Sequence, residues 1–267
     1  MTLVRVNGVA LHVAELPPAG GNITEPATVV LVHGLAGDNM ASWYLTMAHP
    51  LARNGMRVLL YDLRGHGRSE RPARGYALDD FVDDLEGLIV HWRVGGRVHL
   101  FGNSFGATVA FAYALRHPDQ VAGIAAIDSA PPIPEWFARI DTRLSHDAVT
   151  PGRAGRNPAF ARRLRDTQLL LAETEIAAEL PASTLPSPAE FAALSCPVLC
   201  LYGGDSRVRE LAGRTERLLP QTRSIVLDGT GHSVLIERSA EVCGHVTAWL
   251  RDTAPVVTTG NEGERHG

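Results

Sequence analysis

Lysine is absent from this chain of 267 residues: all 25 basic side chains are arginine. That skew reads as the codon bias of a GC-rich, bacterial genome and carries no functional message. Cysteine is scarce. Cys196, Cys200 and Cys243 are too few for a disulfide framework. The first two bracket an apolar run that reads as a strand, so buried reduced thiols are expected rather than a redox or metal pair. No apolar stretch reaches the length of a membrane span. Strong charge is also lacking. A net charge of −4 offers no basic field to nucleic acid. The first residues, MTLVRVNGVALHVAEL, have no long apolar core and alternate apolar with polar side chains. They read as a hairpin turning at Asn-Gly, not as a signal peptide. The expectation is a cytoplasmic protein, monomer or homodimer, with no nucleic-acid or membrane partner.

What is present is a large apolar fraction, 45%, enough for a sizeable core. Continuous apolar runs at 27–34, 56–62, 97–102, 121–128, 197–203 and 222–228 read as buried strands. Helical patterns lie between them, at 42–54 (with a kink or break at Pro50), 78–93, 104–116, 209–219 and 239–251. This alternation predicts an α/β fold: a mostly parallel central sheet with helices on both faces. Residues 131–190 break the rhythm and read as a helical lid inserted between two core strands. The core would then comprise 1–130 and 191–252, with 253–267 a disordered tail.

The segment LFGNSFGATVA (100–110) runs strand, G-N-S-F-G, helix. A serine in that context sits on a strained bend, a nucleophile elbow. Gly102 and Gly106 are expected because a Cβ at either place would crowd the strand-to-helix approach. The helix that starts there aims its first amides at developing negative charge. Serine needs a base, and His232, in the Gly-rich loop DGTGHSVLIE after the last strand, is the candidate. The loop HGLAG (33–37) follows the first buried strand. The amides of Leu35 and Phe105 are the expected oxyanion donors, and His33 is expected to lock the loop.

These pieces, VLVHGLAG, YDLRGHGRS, FGNSFG and GTGHSVLIE, resemble the α/β-hydrolase fold superfamily in order and context. The resemblance implies Ser104 as nucleophile, His232 as base and a Leu35/Phe105 oxyanion hole. It implies no metal and no organic cofactor. The Asn103 elbow is similar to those of carbon–carbon bond hydrolases, cofactor-free esterases and perhydrolases. One departure stands out. The family's acid usually lies three residues after the glycine ending the penultimate strand, and here that position is Ser206, with Asp205 one residue early. Asp128, at the end of the preceding strand, resembles the acid of some lipases of this fold. Asp128 is the favoured acid and Asp205 the alternative.

The expected activity is that of a serine hydrolase on an ester, thioester or lactone, with a small-molecule substrate bearing an apolar portion. Carbon–carbon bond hydrolysis, a lyase or cyclase reaction on the same site, or non-catalytic ligand binding are the alternatives. Lid residues Ile133, Trp136, Phe137, Leu164, Leu169, Leu170 and Leu171 would form an apolar roof, with Trp136 and Phe137 the expected substrate contacts. Arg139, Arg162, Arg163 and Arg165 could meet an anionic substrate or simply be solvated.

Overall fold

The computed structural model describes residues 2–19, 26–149 and 158–253. The chain opens with β1 (Thr2–Val6) and β2 (Val9–Leu16), antiparallel and joined as expected at Asn7-Gly8. Both turn residues have positive φ, 46° and 77°, the pairing that fits the right-handed twist of a hairpin. β3 (Thr28–Val32) is buried along its whole length. After it come α1 (Ala41–Trp43), a π-helical turn (Tyr44–Ala48) and α2 (His49–Arg53) in one helical path. Pro50 therefore marks a change of pitch, not a break. Its missing N–H is tolerated near the start of α2, and the wider turn takes up the mismatch ahead of it.

The chain continues through β4 (Arg57–Tyr61), α3 (Leu78–His91), β5 (Val98–Asn103), α4 (Phe105–Arg116) and β6 (Val121–Ile127). The next stretch carries four helices, α5 (Pro134–Val149), α6 (Pro158–Glu173), α7 (Ile176–Glu179) and α8 (Pro188–Ala192). β7 (Val198–Gly203), α9 (Ala212–Leu218), β8 (Thr222–Leu227), α10 (Val234–Glu237) and α11 (Ser239–Thr253) complete it. The expected helix at 209–219 is in fact a 3₁₀ turn, Arg207–Leu211, followed by the shorter α9. Thr253 ends α11, and the rest of the expected disordered tail lies outside the described residues.

The eight strands form one sheet in the order β1-β2-β4-β3-β5-β6-β7-β8. β1 and β2 are antiparallel and the other six run parallel. Strand alternation sorts the core onto two faces. Val30, Val32, Leu59, Tyr61 and Leu100 pack with α3 and α4, while Val29, Leu31, Val58, Leu60 and Phe101 pack with α1, α2 and α11. Leu144, Leu170 and Ile176 of the insertion join the α3/α4 core, so these helices share the body's apolar interior. Cys196 and Cys200 are buried and free, and burial pushes the Cys200 thiol up to about 12. Among the described residues no helix is long and apolar enough to cross a membrane.

The parallel strands share a direction, so the loops at their carboxyl ends open on one rim. There the ends of β3, β5, β6, β7 and β8 bring the residues below together.

Candidate active site

β5 feeds α4 through Ser104, whose φ of 51° and ψ of −125° place it in a region that L-residues avoid. The bend survives because glycines flank it. A Cβ on Gly102 would stand 2.1 Å from the Ala107 nitrogen, and one on Gly106 would stand 2.1 Å from the Val32 carbonyl oxygen. The backbone is pinned on both sides. Ser104 N donates to Ile127 O at 2.8 Å, and Ser104 O accepts from Ser129 Oγ at 2.6 Å. With the backbone over-determined, the side chain stands out at the start of α4.

His232 lies in the loop between β8 and α10. That loop presses on the end of β7, where a Cβ on Gly203 would stand 2.2 Å from Gly231 O. Asp205 N donates to Thr230 O at 3.0 Å, and Thr230 Oγ1 donates to Glu237 Oε2 at 2.8 Å, so Thr230 ties the loop to the β7 loop and to α10. His232 Nε2 lies 3.0 Å from Ser104 Oγ, and Nδ1 lies 2.6 Å from Asp128 Oδ2. A carboxylate only accepts, so Nδ1 carries the proton and Nε2 accepts from the serine hydroxyl.

Asp128 is completely buried and has a φ of 45°, a left-handed conformation that Asp tolerates better than most residues. Its Oδ1 accepts from Gly203 N at 2.9 Å, and its Oδ2 accepts from Ser206 Oγ at 2.6 Å as well as from His232. The carboxylate therefore gathers three donors, which offsets the cost of burying its charge. Asp205, the alternative, is exposed and makes no hydrogen bond or ion pair with His232. Ser206 occupies the place where the resemblance expected an acid, and it donates to the acid of the neighbouring strand.

Leu35 lies in the loop after β3. His33 fixes this loop from beneath: Leu63 N donates to its Nε2 at 2.9 Å, and its Nδ1 donates to Gly34 O at 2.7 Å. Asp38 does so from the side, accepting from Gly34 N at 2.8 Å and from Asn103 Nδ2 at 3.3 Å. That carboxylate was missed in the sequence. Its one signal is an Asp four residues after a loop glycine, a common local cap. The amides of Leu35 and Phe105 find no acceptor among the described residues, and both residues line the cavity described next. Arg64, in YDLRGHGRS, lies away from the chemistry. It grips buried Asp84 through two bonds of 2.7 and 2.6 Å and so fixes its loop to α3.

A cavity of about 600 Å³ opens over Ser104 and His232. Trp136, Ile140 and Leu144 of α5 line it, with Val208 and Leu235. Trp136 Nε1 donates to Thr108 Oγ1 at 2.7 Å, which fixes the indole. Phe137 differs from expectation. It is buried in the core and is not a lining residue, because it follows Trp136 on the helix and points about 100° away. Leu169, another expected roof residue, is 39% exposed, and Ile133, Leu164, Leu170 and Leu171 do not line the cavity either. Of the four arginines that could meet an anionic substrate or be solvated, Arg139 and Arg163 line the cavity, whereas Arg162 pairs with Asp166 on an exposed face and Arg165 is exposed away from the cavity lining.

The sequence pattern of the alpha/beta hydrolase family matches residues 29–245. The chain belongs to the alpha/beta hydrolase family. It is 31% identical over 204 residues to the 2-(acetamidomethylene)succinate hydrolase of Mesorhizobium japonicum, covering 66% of this chain and 72% of that protein. A thermophilic esterase from Thermogutta terrifontis, solved with malate bound, superposes with a TM-score of 0.74 at 25% identity over 95% of this chain and 99% of its own. The enol-lactonase of Burkholderia xenovorans LB400 does so with a TM-score of 0.72 at 25% identity, over 93% and 99%. The relatives of this α/β hydrolase are hydrolases, esterases and lactonases, and the chain is an enzyme of that family.

Proposed function

We propose that this α/β hydrolase cleaves esters, thioesters or lactones of small molecules through an acyl-enzyme on Ser104. The observation that carries the reading is the hydrogen-bonded chain Ser104 Oγ, His232, Asp128, which ends in a fully buried carboxylate. Ser104 Oγ attacks the carbonyl carbon while His232 Nε2 takes its proton. Asp128 holds the imidazole in the tautomer that can do so and stabilises the imidazolium. The carbonyl oxygen gains charge and is met by the free amides of Leu35 and Phe105, an oxyanion hole. The imidazolium then protonates the leaving group. Water, deprotonated by the same nitrogen, releases the acyl group.

The cavity supports a substrate with an apolar portion, bounded by Trp136, Ile140 and Leu144. The insertion between β6 and β7 acts as the lid that sets substrate choice. Esters and enol-lactones are named for the similar proteins, and both present the carbonyl such a site attacks. Carbon–carbon bond hydrolysis is the second reading. Asn103 lines the cavity and buries an Oδ1 that has no partner among the described residues, a polar group that ester cleavage does not use.

The test is intact mass after treatment with a fluorophosphonate, on wild type and Ser104→Ala. One adduct on wild type and none on the variant is expected. A folded wild type that does not label would sink the reading.

A further inference from the structure

The chain as a whole is acidic, with a net charge of −4, yet four arginines (139, 143, 163 and 207) line its cavity against two carboxylates, Asp38 and Asp205. Three of these charged groups, Asp38, Arg139 and Arg143, are already committed. Asp38 is turned to Gly34 N, Asn39 N and Asn103 Nδ2. Arg139 pairs with Glu210 at 2.8 Å and donates to Arg207 O, which ties α5 to the loop after β7.

Arg163 and Arg207 differ. Neither guanidinium has a hydrogen bond or ion pair among the described residues. They come from separate walls. Arg163 rides on α6 against the Leu35 loop, since a Cβ on Gly37 would stand 2.3 Å from its carbonyl oxygen. Arg207 follows Ser206 on the Asp128 side. Both arginines are exposed residues that line the cavity, so a bound anion would meet them at its mouth. A guanidinium with free donors fits a carboxylate through two parallel bonds.

We propose that the substrate carries a carboxylate away from the scissile carbonyl, held by Arg163 or Arg207. The cavity, at about 600 Å³, is far larger than an ester group and leaves room for a chain of several carbons ending in that charge. The proposal rests on reading the cavity as an acyl-transfer site.

Two readouts separate the two readings. In turnover, mono-p-nitrophenyl adipate is compared with its neutral methyl ester, and 3-carboxyphenyl hexanoate with phenyl hexanoate. This places the charge on the acyl or on the alcohol side. At least one anionic ester should show kcat/KM about tenfold above its neutral partner. That ratio should fall at least fivefold in Arg163→Gln or Arg207→Gln, and a general loss of activity cancels in the ratio. In binding, calorimetry compares adipamide, its mono-acid and 6-aminohexanamide, none of which needs Ser104 to react. The mono-acid should bind tightest in wild type and lose that advantage in the same variants. Ester turnover with no charge preference in either readout overturns the anion site and leaves the hydrolase reading standing. Arginine-dependent binding of the mono-acid without turnover of any ester does the reverse. A preference that survives in the double variant Arg163→Gln/Arg207→Gln also overturns the assignment to these arginines.

Discussion

Ser206 Oγ donates to Asp128 Oδ2 at 2.6 Å, the same oxygen that accepts from His232. The carboxylate has come from the end of β6, and a hydroxyl on the loop after β7 faces it. The arrangement makes the identity of the acid testable. Asp128→Asn should lower kcat about 10³- to 10⁴-fold by disturbing the imidazole tautomer. Asp205→Asn should cost less than tenfold. Steady-state rates on one neutral ester decide it, and a larger loss at Asp205 would reverse the assignment.

Ser206 and His232 donate to one oxygen, so their donor atoms lie within about 5 Å of each other. An aspartate at 206 can therefore reach the imidazole from the other strand. The exchange Asp128→Ser with Ser206→Asp should regain at least tenfold in kcat over Asp128→Ser alone. No gain in a double variant of wild-type melting temperature would show that only the β6 position can orient His232.

Gly37 is where the insertion bears on the Leu35 loop. A methyl there would meet the Arg163 backbone at 2.3 Å, and backbone in a helix cannot swing aside. Gly37→Ala should displace the loop or lift α6, slowing fluorophosphonate labelling of Ser104 more than tenfold. A variant that melts like wild type and labels at the wild-type rate would show that loop and helix move independently.

Acid should weaken this fold in part through two imidazoles, His66, which is buried, and His99, which is partly buried. Burial lowers His66 to about 3 and His99 to about 4. At pH 7 both are neutral in the folded chain and mostly neutral in the unfolded chain. Below about pH 6.5 the unfolded chain takes up protons that the folded chain refuses, so each histidine costs about 1.4 kcal/mol of stability per pH unit until its folded pKa is reached. His99 packs against Phe101 and Trp249, and its Nδ1 is buried without a partner among the described residues. His99→Phe should gain about 2 kcal/mol more on wild type at pH 5 than at pH 7.5 by urea denaturation. An equal gap at the two pH values would exclude its titration as a cause.

Much of this molecule could be read before its coordinates. Each parallel strand is a short run of apolar residues, and Gly102 of the Ser104 bend is required by backbone five residues on, so local sequence carries that signal; Gly106 is required by the distant Val32 carbonyl and was legible only through the spacing of the bend. His232 was legible for the same reason, as a loop residue between strand and helix. The acid was not. Asp128 and Asp205 both follow a strand and precede His232, and which one meets the imidazole depends on how β6 and β7 align across the sheet. Phe137 was misassigned because neighbours on a helix diverge by about 100°, and composition does not say which faces the cavity. Arg143 and Arg207 were not singled out, since only the packing of α5 against the β7 loop places them on a cavity wall.

The loop after β7 has been relieved of a duty. With the carboxylate rooted in β6, residues 205, 207 and 208 contribute side chains to the cavity wall while only Ser206 and the Gly203 amide touch Asp128. On the proposed acyl-transfer reading, the carboxylate that orients His232 and the side chains that line the cavity beside it thus come from different strand ends. Descendants of this sequence can exchange charge or bulk at Asp205, Arg207 and Val208 without disturbing the carboxylate. A combinatorial library confined to those three codons is accordingly the short route to altered substrate range.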